Sequence, residues 1–156
     1  MKAGVTRSLV LDAFVPLAWC FEDESAALPE RVLDVLETGT EMLTPSIWPL
    51  EVANALLVAG RRKRITNAQA TAFLQRISKL PILVLLTPPE RAFDHILQVA
   101  RQYQVTEYDA AYVELALREA LPLANPQCQA ATGGPLGRYC VGLVEIELGS
   151  VVDWSW

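Results

Sequence analysis

The sequence contains one histidine, His95, and only three cysteines, Cys20, Cys128 and Cys140. A single histidine excludes a ribonuclease that uses two histidines as acid and base, and it excludes a histidine-rich metal site. The cysteines form no C-x-x-C pair, which argues against structural zinc and fits a reducing compartment. Any catalysis by this chain is therefore expected to depend on carboxylates.

Long apolar segments are also missing. The richest runs, residues 80–86 and 10–19, fall short of the roughly 20 residues that a membrane-spanning helix needs, and Asp12 interrupts the second run. The same aspartate interrupts what would be the core of a signal peptide, so we expect no export signal and a cytoplasmic protein without membrane association. At 156 residues and 52% hydrophobic composition, the chain is long and apolar enough for one folded domain.

Positive charge is scarce as well. The chain has 13 basic and 18 acidic residues, a net charge of −5. This balance disfavours non-specific binding of nucleic acid, which needs positive charge at the phosphates. It does not exclude a nuclease whose acids surround metal ions, because the cations reverse the local field. The basic run at residues 61–64 is compatible with an RNA or acidic partner, and equally with a solvated helix end.

Short apolar segments alternate with helical patterns along most of the chain. The patterns predict strands at residues 8–11, 41–44, 82–86 and 121–124, and helices at 25–37, 46–63, 66–79, 88–100 and 107–120. Such alternation predicts an α/β domain with a central, mainly parallel sheet. The third strand is apolar at every position, which is typical of a strand covered on both faces.

The composition and the apolar pattern of the sequence change after residue 124. Glycines and prolines interrupt any helix there, and residues 141–148 alternate between apolar and polar side chains, which predicts one strand. We therefore divide the chain into a domain at residues 1–124 and an atypical C-terminal segment, residues 125–156, that packs on the same domain.

Three acids follow or precede predicted strands. Asp12 ends the first strand, Glu51 lies one turn into the helix after the second, and Asp109 opens the helix before the fourth. Sites in open parallel sheets form at the carboxyl ends of the strands, so the acids are expected near one edge. Clustered carboxylates are the usual means of holding Mg²⁺ beside phosphate. Asn54, three residues after Glu51, would lie on the same helix face and orient a carboxylate or a metal-bound water.

Each acid also has an alternative interpretation. An aspartate after a strand is often a turn or helix-capping residue, which applies to Asp12. Asp109 completes a capping box with Thr106 at a helix N-terminus. Glu51 is harder to explain structurally, because apolar neighbours flank it and burial of a lone carboxylate is costly. We interpret Trp19, Trp48 and His95 as structural residues.

Three segments of the chain resemble, in the family's order, three sequence blocks of PIN domains of the VapC type. They are LVLDAFVPLAW at residues 9–19, PSIWPLEVANAL at residues 45–56 and TEYDAAYVELA at residues 106–116. The resemblance covers residues 8 to about 124 and implies a three-layer α/β/α PIN-like (Rossmann-like) fold. It also implies that Asp12, Glu51 and Asp109 are catalytic acids that bind Mg²⁺ or Mn²⁺, with Asn54 beside them. The implied function is a metal-dependent ribonuclease that hydrolyses RNA, the toxin of a toxin–antitoxin pair, with a cognate antitoxin and a homodimeric state.

The resemblance stops where the family usually has a Thr or Ser followed, two residues later, by a fourth Asp. Asn125 and Gln127 occupy these positions, which predicts a shifted reading frame or a divergent C-terminus. Resequencing of the gene tests the shift, which fails if no alternative frame restores an acid near residue 127. The alternative function is a catalytically impaired PIN-like binding module that dimerises and binds an antitoxin. A phosphatase with Asp12 as nucleophile is disfavoured, because Phe14 stands where its companion aspartate is expected.

Overall fold

A computed structural model describes residues 8–21 and 27–125 of the chain. In chain order the elements are β1 (Ser8–Leu11), α1 (Phe14–Leu17), α2 (Ala27–Glu37), β2 (Glu41–Pro45), α3 (Trp48–Arg61), α4 (Asn67–Ile77), β3 (Ile82–Leu85), α5 (Pro89–Arg91), a π-helical segment (Ala92–Ile96), α6 (Leu97–Tyr103), α7 (Glu107–Glu119) and β4 (Leu123–Ala124). The strand predicted at residues 141–148, Gln127, Cys128 and Cys140 lie outside the described residues. Within these ranges, none of the helices has the length and apolar character needed to cross a bilayer.

The four strands form one parallel sheet in the order β3-β2-β1-β4. Val10 in β1 is in register with Leu43 in β2 on one side and with Leu123 in β4 on the other. The chain moves outward from β1 to β3 and then returns past β1 to add β4. Because crossovers are nearly always right-handed, this reversal places the helices before β4 on the opposite face from the earlier ones. The predicted three-layer α/β/α fold with a central parallel sheet is confirmed.

The core lies around the central strand β1. Leu9, Val10 and Leu11 are all buried, because helices cover both faces of the sheet at this position. Each such side chain stabilises the fold by about 1.5–3 kcal/mol through removal of apolar surface from water. Helix α7 contacts both β1 and β2, so it packs against the two central strands of the sheet.

Strand β3 differs from its prediction. Its continuous apolar sequence predicted burial on both faces, yet Leu83 and Val84 are both exposed. In the described part of the chain, β3 is the edge strand and pairs only with β2. A continuous apolar run shows that a strand is favourable there, but it does not show whether the strand lies at the centre or at an edge.

Two helical features have no clear signal in the sequence. The single-turn helix α1 follows β1 directly, where no helix was predicted. The predicted helix from residues 88–100 contains a π-helical segment between α5 and α6. By contrast, the helix starting at residue 66 or 67 was predicted from a capping residue, and Thr66 does form a capping box with Gln69.

Candidate functional site

Asp12 lies directly after β1, next to β4, where the strand order reverses. Its backbone N–H donates to the carbonyl of Ala124 (3.0 Å), which extends the pairing of the two strands by one residue. One carboxylate oxygen, Oδ1, accepts from the backbone N–H of Phe14 (2.8 Å), and the other, Oδ2, accepts from Asn125 Nδ2 (3.1 Å). The carboxyl ends of strands at such a reversal are the usual place for a ligand site in an open α/β sheet.

The environment of Asp12 favours its protonated form. The side chain is only 4% exposed, and this burial raises the pKa of Asp12 from 3.8 to about 7. The hydrogen bond from Phe14 opposes the shift, whereas the negative charges of Glu51 and Asp109 raise this pKa further. The three acids predicted from the sequence therefore lie close enough to repel one another.

Glu51 lies in the first turn of α3 and faces α7. Its Oε2 accepts a short hydrogen bond from the hydroxyl of Tyr112, which is buried. Burial raises the pKa of Glu51, the hydrogen bond from Tyr112 lowers it, and the charge of Asp109 raises it. Burial and the neighbouring carboxylate also raise the pKa of Tyr112, so its hydroxyl remains a proton donor.

Asp109 is exposed and forms part of the N-terminal cap of α7. Thr106 Oγ1 accepts from the backbone N–H of Asp109 (3.1 Å) and donates to its Oδ2 (2.8 Å). The side chain of Thr106 therefore caps α7, but Asp109 accepts from the Thr106 hydroxyl and not from its backbone N–H, as the predicted capping box would require. Asp12 has the turn bond to Phe14 that its alternative interpretation required. These local bonds do not exclude a site, because both carboxylates still contribute to one electrostatic cluster.

Of the other residues discussed from the sequence, Asn54 and the basic run are exposed, whereas Trp48 and Trp19 have structural contacts. Asn54 is exposed on α3, one turn after Glu51, and its supporting role stays a prediction. Trp48 is buried in the core, and Trp19 donates from Nε1 to the Pro29 carbonyl (2.8 Å), as expected of structural residues. The basic run at residues 61–64 is exposed at the end of α3.

The donors at the site match a hard divalent cation, although they are not arranged as a complete coordination shell. Within residues 8–21 and 27–125, no three His, Cys, Asp or Glu side chains converge as a metal site. Glu51 and Asp109 each direct an oxygen to a hydroxyl, and Asp12 directs both oxygens to nitrogen donors. Carboxylate oxygens are the ligands that Mg²⁺ and Mn²⁺ prefer. A cation would offset the cost of burying the charge of Asp12, the main cause of its raised pKa, and the repulsion from Glu51 and Asp109.

Two residues at the site were not identified as functional from the sequence. Tyr112 lies three residues after Asp109 and thus on the same face of α7, which was an available signal. Asn125 directly follows β4, the neighbour of β1, and so reaches Asp12. Its role depends on the strand order, which the sequence does not specify.

Comparison with known proteins relates the whole described fold to one family. A model of the PIN domain family matches residues 9–125. Among solved structures, the chain is similar to the crystal structure of PAE2754 from Pyrobaculum aerophilum, with a TM-score of 0.59 and 24% identity over 83% of this chain and 88% of that one. At this identity the likeness concerns the fold alone. None of the curated proteins matches the chain.

Proposed function

The chain belongs to the PIN domain family, and from this premise we propose that it is a metal-dependent ribonuclease. PIN domains are generally nucleases, so a coarse nuclease activity follows from the family itself. The observation that carries the proposal is the electrostatic cluster of Asp12, Glu51 and Asp109 at the carboxyl edge of the sheet. Carboxylates in this position suit a reaction at a phosphodiester, because a bound cation can offset both their charge and that of the phosphate.

In the proposed mechanism, Asp12, Glu51 and Asp109 would hold one or two Mg²⁺ or Mn²⁺ ions. Such a cation would supply a water of lowered pKa and positive charge beside the phosphate. Tyr112 fixes the orientation of Glu51, while Phe14 and Asn125 fix that of Asp12. Such surrounding hydrogen bonds typically hold metal-binding carboxylates in one orientation.

We further propose a biological role for the chain, that of a toxin with a protein partner. The three sequence blocks support a cytoplasmic VapC-type toxin that acts on RNA, forms a homodimer and is neutralised by a cognate antitoxin. Coexpression with a small DNA-binding protein encoded by an adjacent gene tests this. A stable complex that suppresses cleavage supports the toxin role, whereas cleavage unaffected by that protein contradicts it.

A second candidate function is the catalytically impaired binding module. Two observations favour it: the described acids are not arranged as a complete metal site, and neutral Asn125 bonds to Asp12. A folded protein that binds an antitoxin but cleaves no RNA would establish this alternative.

Cleavage is expected to require a divalent cation. Purified protein should cleave RNA with Mg²⁺ or Mn²⁺ and lose all cleavage in EDTA, because without cations the clustered carboxylates repel the phosphate. The measurement is gel analysis of several RNA classes, with circular dichroism to show that EDTA leaves the fold intact. Cleavage that persists in EDTA would contradict the mechanism, and cleavage of none of the RNAs would favour the binding module.

Replacement of Tyr112 by phenylalanine is expected to reduce cleavage near neutral pH by roughly tenfold. The variant loses the donor that lowers the pKa of Glu51, so a larger fraction of Glu51 is protonated and its carboxylate is no longer held in place. The measurement is kcat against pH, in which the acidic limb should move to higher pH.

The matched control for this variant is Tyr108→Phe. Tyr108 lies on the same helix but is exposed, so removal of its hydroxyl should leave the pH profile unchanged. An unchanged profile in Tyr112→Phe would show that the bond to Glu51 has no part in the reaction.

A further inference from the structure

Three large apolar side chains are exposed around the acid cluster. Phe14 is 60% exposed, Leu50 is 67% exposed and Tyr108 is 63% exposed. Single exposed apolar residues are ordinary. These three are distinctive because each is the close neighbour of a different acid: Phe14 follows Asp12 by two residues, and the other two directly precede Glu51 and Asp109.

The fold brings these residues to one edge of the sheet. Phe14, Leu50 and Tyr108 lie in the first turns of α1, α3 and α7. Helices α1 and α3 start at the carboxyl ends of β1 and β2, and α7 starts at the same edge because it ends where β4 begins. The hydrogen bond from the Phe14 backbone to Asp12 fixes the start of α1 against the buried acid. We name Phe14, Leu50 and Tyr108 the apolar rim.

We propose that the apolar rim is a stacking surface for the nucleobases of single-stranded RNA, on either side of the phosphate that faces the acids. This inference rests on the proposed function and deepens it, because it names the side chains that would contact the bases on either side of that phosphate. Aromatic rings offer flat apolar faces that suit bases of any identity. In a duplex both faces of a base are covered by its neighbours, so only unpaired bases can reach Phe14 and Tyr108.

The exposed face of α3 favours RNA over a protein as the occupant. Leu50, Asn54, Leu57 and Arg61 follow one another at helical spacing, and all four are exposed. This face begins beside the acids and ends in the basic run at residues 61–64, about 15 Å away at 1.5 Å per residue. An apolar surface between a cation site and a positive patch fits a strand in which bases and phosphates alternate.

The test compares a short single-stranded RNA with the same RNA carrying abasic sites. Binding is measured by fluorescence anisotropy in Ca²⁺, and a gel confirms that the RNA remains intact. The wild-type protein should bind the complete RNA at least about fivefold more tightly than the abasic RNA, given the stacking energy per base. The Phe14→Leu/Tyr108→Leu double variant should lose this preference while it binds the abasic RNA as the wild type does.

Two controls isolate the stacking contribution. Phe93 is also exposed (76%) but lies on the π-helical segment after the edge strand, so Phe93→Leu should keep the preference for bases. Tyr108→Phe retains the aromatic ring, so this variant should also retain the preference for RNA with bases. Affinity for Mn²⁺, measured by calorimetry, should be equal in all variants, because none of them alters an acid.

The outcomes separate this inference from the proposed function. A wild-type protein that prefers complete RNA but never cleaves it would contradict the proposed nuclease activity and support the stacking surface. A wild-type protein that cleaves RNA, yet shows the same base preference as the double variant, would overturn the stacking surface alone. No affinity of the wild type for RNA would overturn the stacking surface, and loss of a dimer in the double variant would assign the rim to protein contacts instead.

Discussion

Replacement of Asp12 by asparagine should abolish cleavage and at the same time make the metal-free protein more stable above pH 7. Asp12 Oδ1 accepts from Phe14, and an asparagine carbonyl can accept the same bond. The substitution therefore keeps the turn and removes a negative charge from the acid cluster, while Asn125, which donates to Oδ2, must turn its amide so that its oxygen accepts from the new Nδ2. The two effects have one cause, since the charge that would hold the cation is costly to bury without it.

The sign of the stability effect follows from the pKa of Asp12. In the unfolded chain the carboxyl group ionises near 3.8, whereas in the folded protein it ionises at about 7. Between these values the folded state binds more protons, so the free energy of unfolding falls as the pH rises. A shift of this size corresponds to at most about 4 kcal/mol. We expect Asp12→Asn to recover roughly 2–4 kcal/mol at alkaline pH, and little at a pH below the unfolded pKa.

Urea unfolding in EDTA, at acidic and alkaline pH, measures this difference. Cleavage assays on the same preparations should show a loss of about a thousandfold or more, since a bound cation contributes several kcal/mol to phosphate chemistry. Retained metal-dependent cleavage would remove Asp12 from the mechanism. Equal stability of the variant and the wild type at alkaline pH would show that ionisation of Asp12 does not lower the free energy of unfolding.

Removal of the charge of Arg91 should destabilise the fold, because Arg91 pairs with a buried carboxylate. Glu114 in α7 is only 6% exposed, and its Oε1 lies 2.5 Å from Arg91 Nη1 and 3.4 Å from Arg118 Nε. Loss of one partner from a buried pair costs about 3–5 kcal/mol, because the remaining charge is left in a poor environment. Arg118 remains and Arg91 is partly exposed, so we expect Arg91→Met to lower the free energy of unfolding by roughly 2 kcal/mol.

A second substitution separates charge from packing. If the cost arises from the unpaired carboxylate, the double variant Arg91→Met/Glu114→Leu should recover most of the lost stability, since an apolar pair of similar volume often replaces a buried ion pair without loss. Arg101→Met serves as the control, because Arg101 is an exposed arginine on the neighbouring helix α6. Urea unfolding curves measure all four proteins, and a double variant as unstable as Arg91→Met would assign the effect to packing.

The sequence predicted the order and type of most elements because parallel strands and amphipathic helices have different apolar spacings. It did not predict that β3 lies at the edge of the sheet formed by the described strands, since that depends on which strands pair rather than on local pattern. The π-helical segment was not predicted either, because the spacing of apolar residues does not distinguish a π-helical turn, with its one extra residue, from an α-helical turn.

The acids of the candidate site, and Thr106 as the partner of Asp109, could be selected from the sequence, but the partners of Asp12 and Glu51 could not. Asp12, Glu51 and Asp109 each adjoin a strand end or a helix start, and topology rules place such positions at one edge. The bond from Tyr112 to Glu51 joins α7 to α3, and the bond from Asn125 to Asp12 joins the last described residue to the first strand. Both depend on how distant helices and strands pack, for which one sequence offers no spacing rule.

The pairing of β1 with β4 has a consequence for the protein during its synthesis. Val10 pairs with Leu123, so the strand made first finds this neighbour only after nearly every described residue has left the ribosome. Contacts between such distant segments form late in folding. We therefore expect Asp12 and Asp109 to take up their final positions late in folding, once β4 has joined the sheet beside β1.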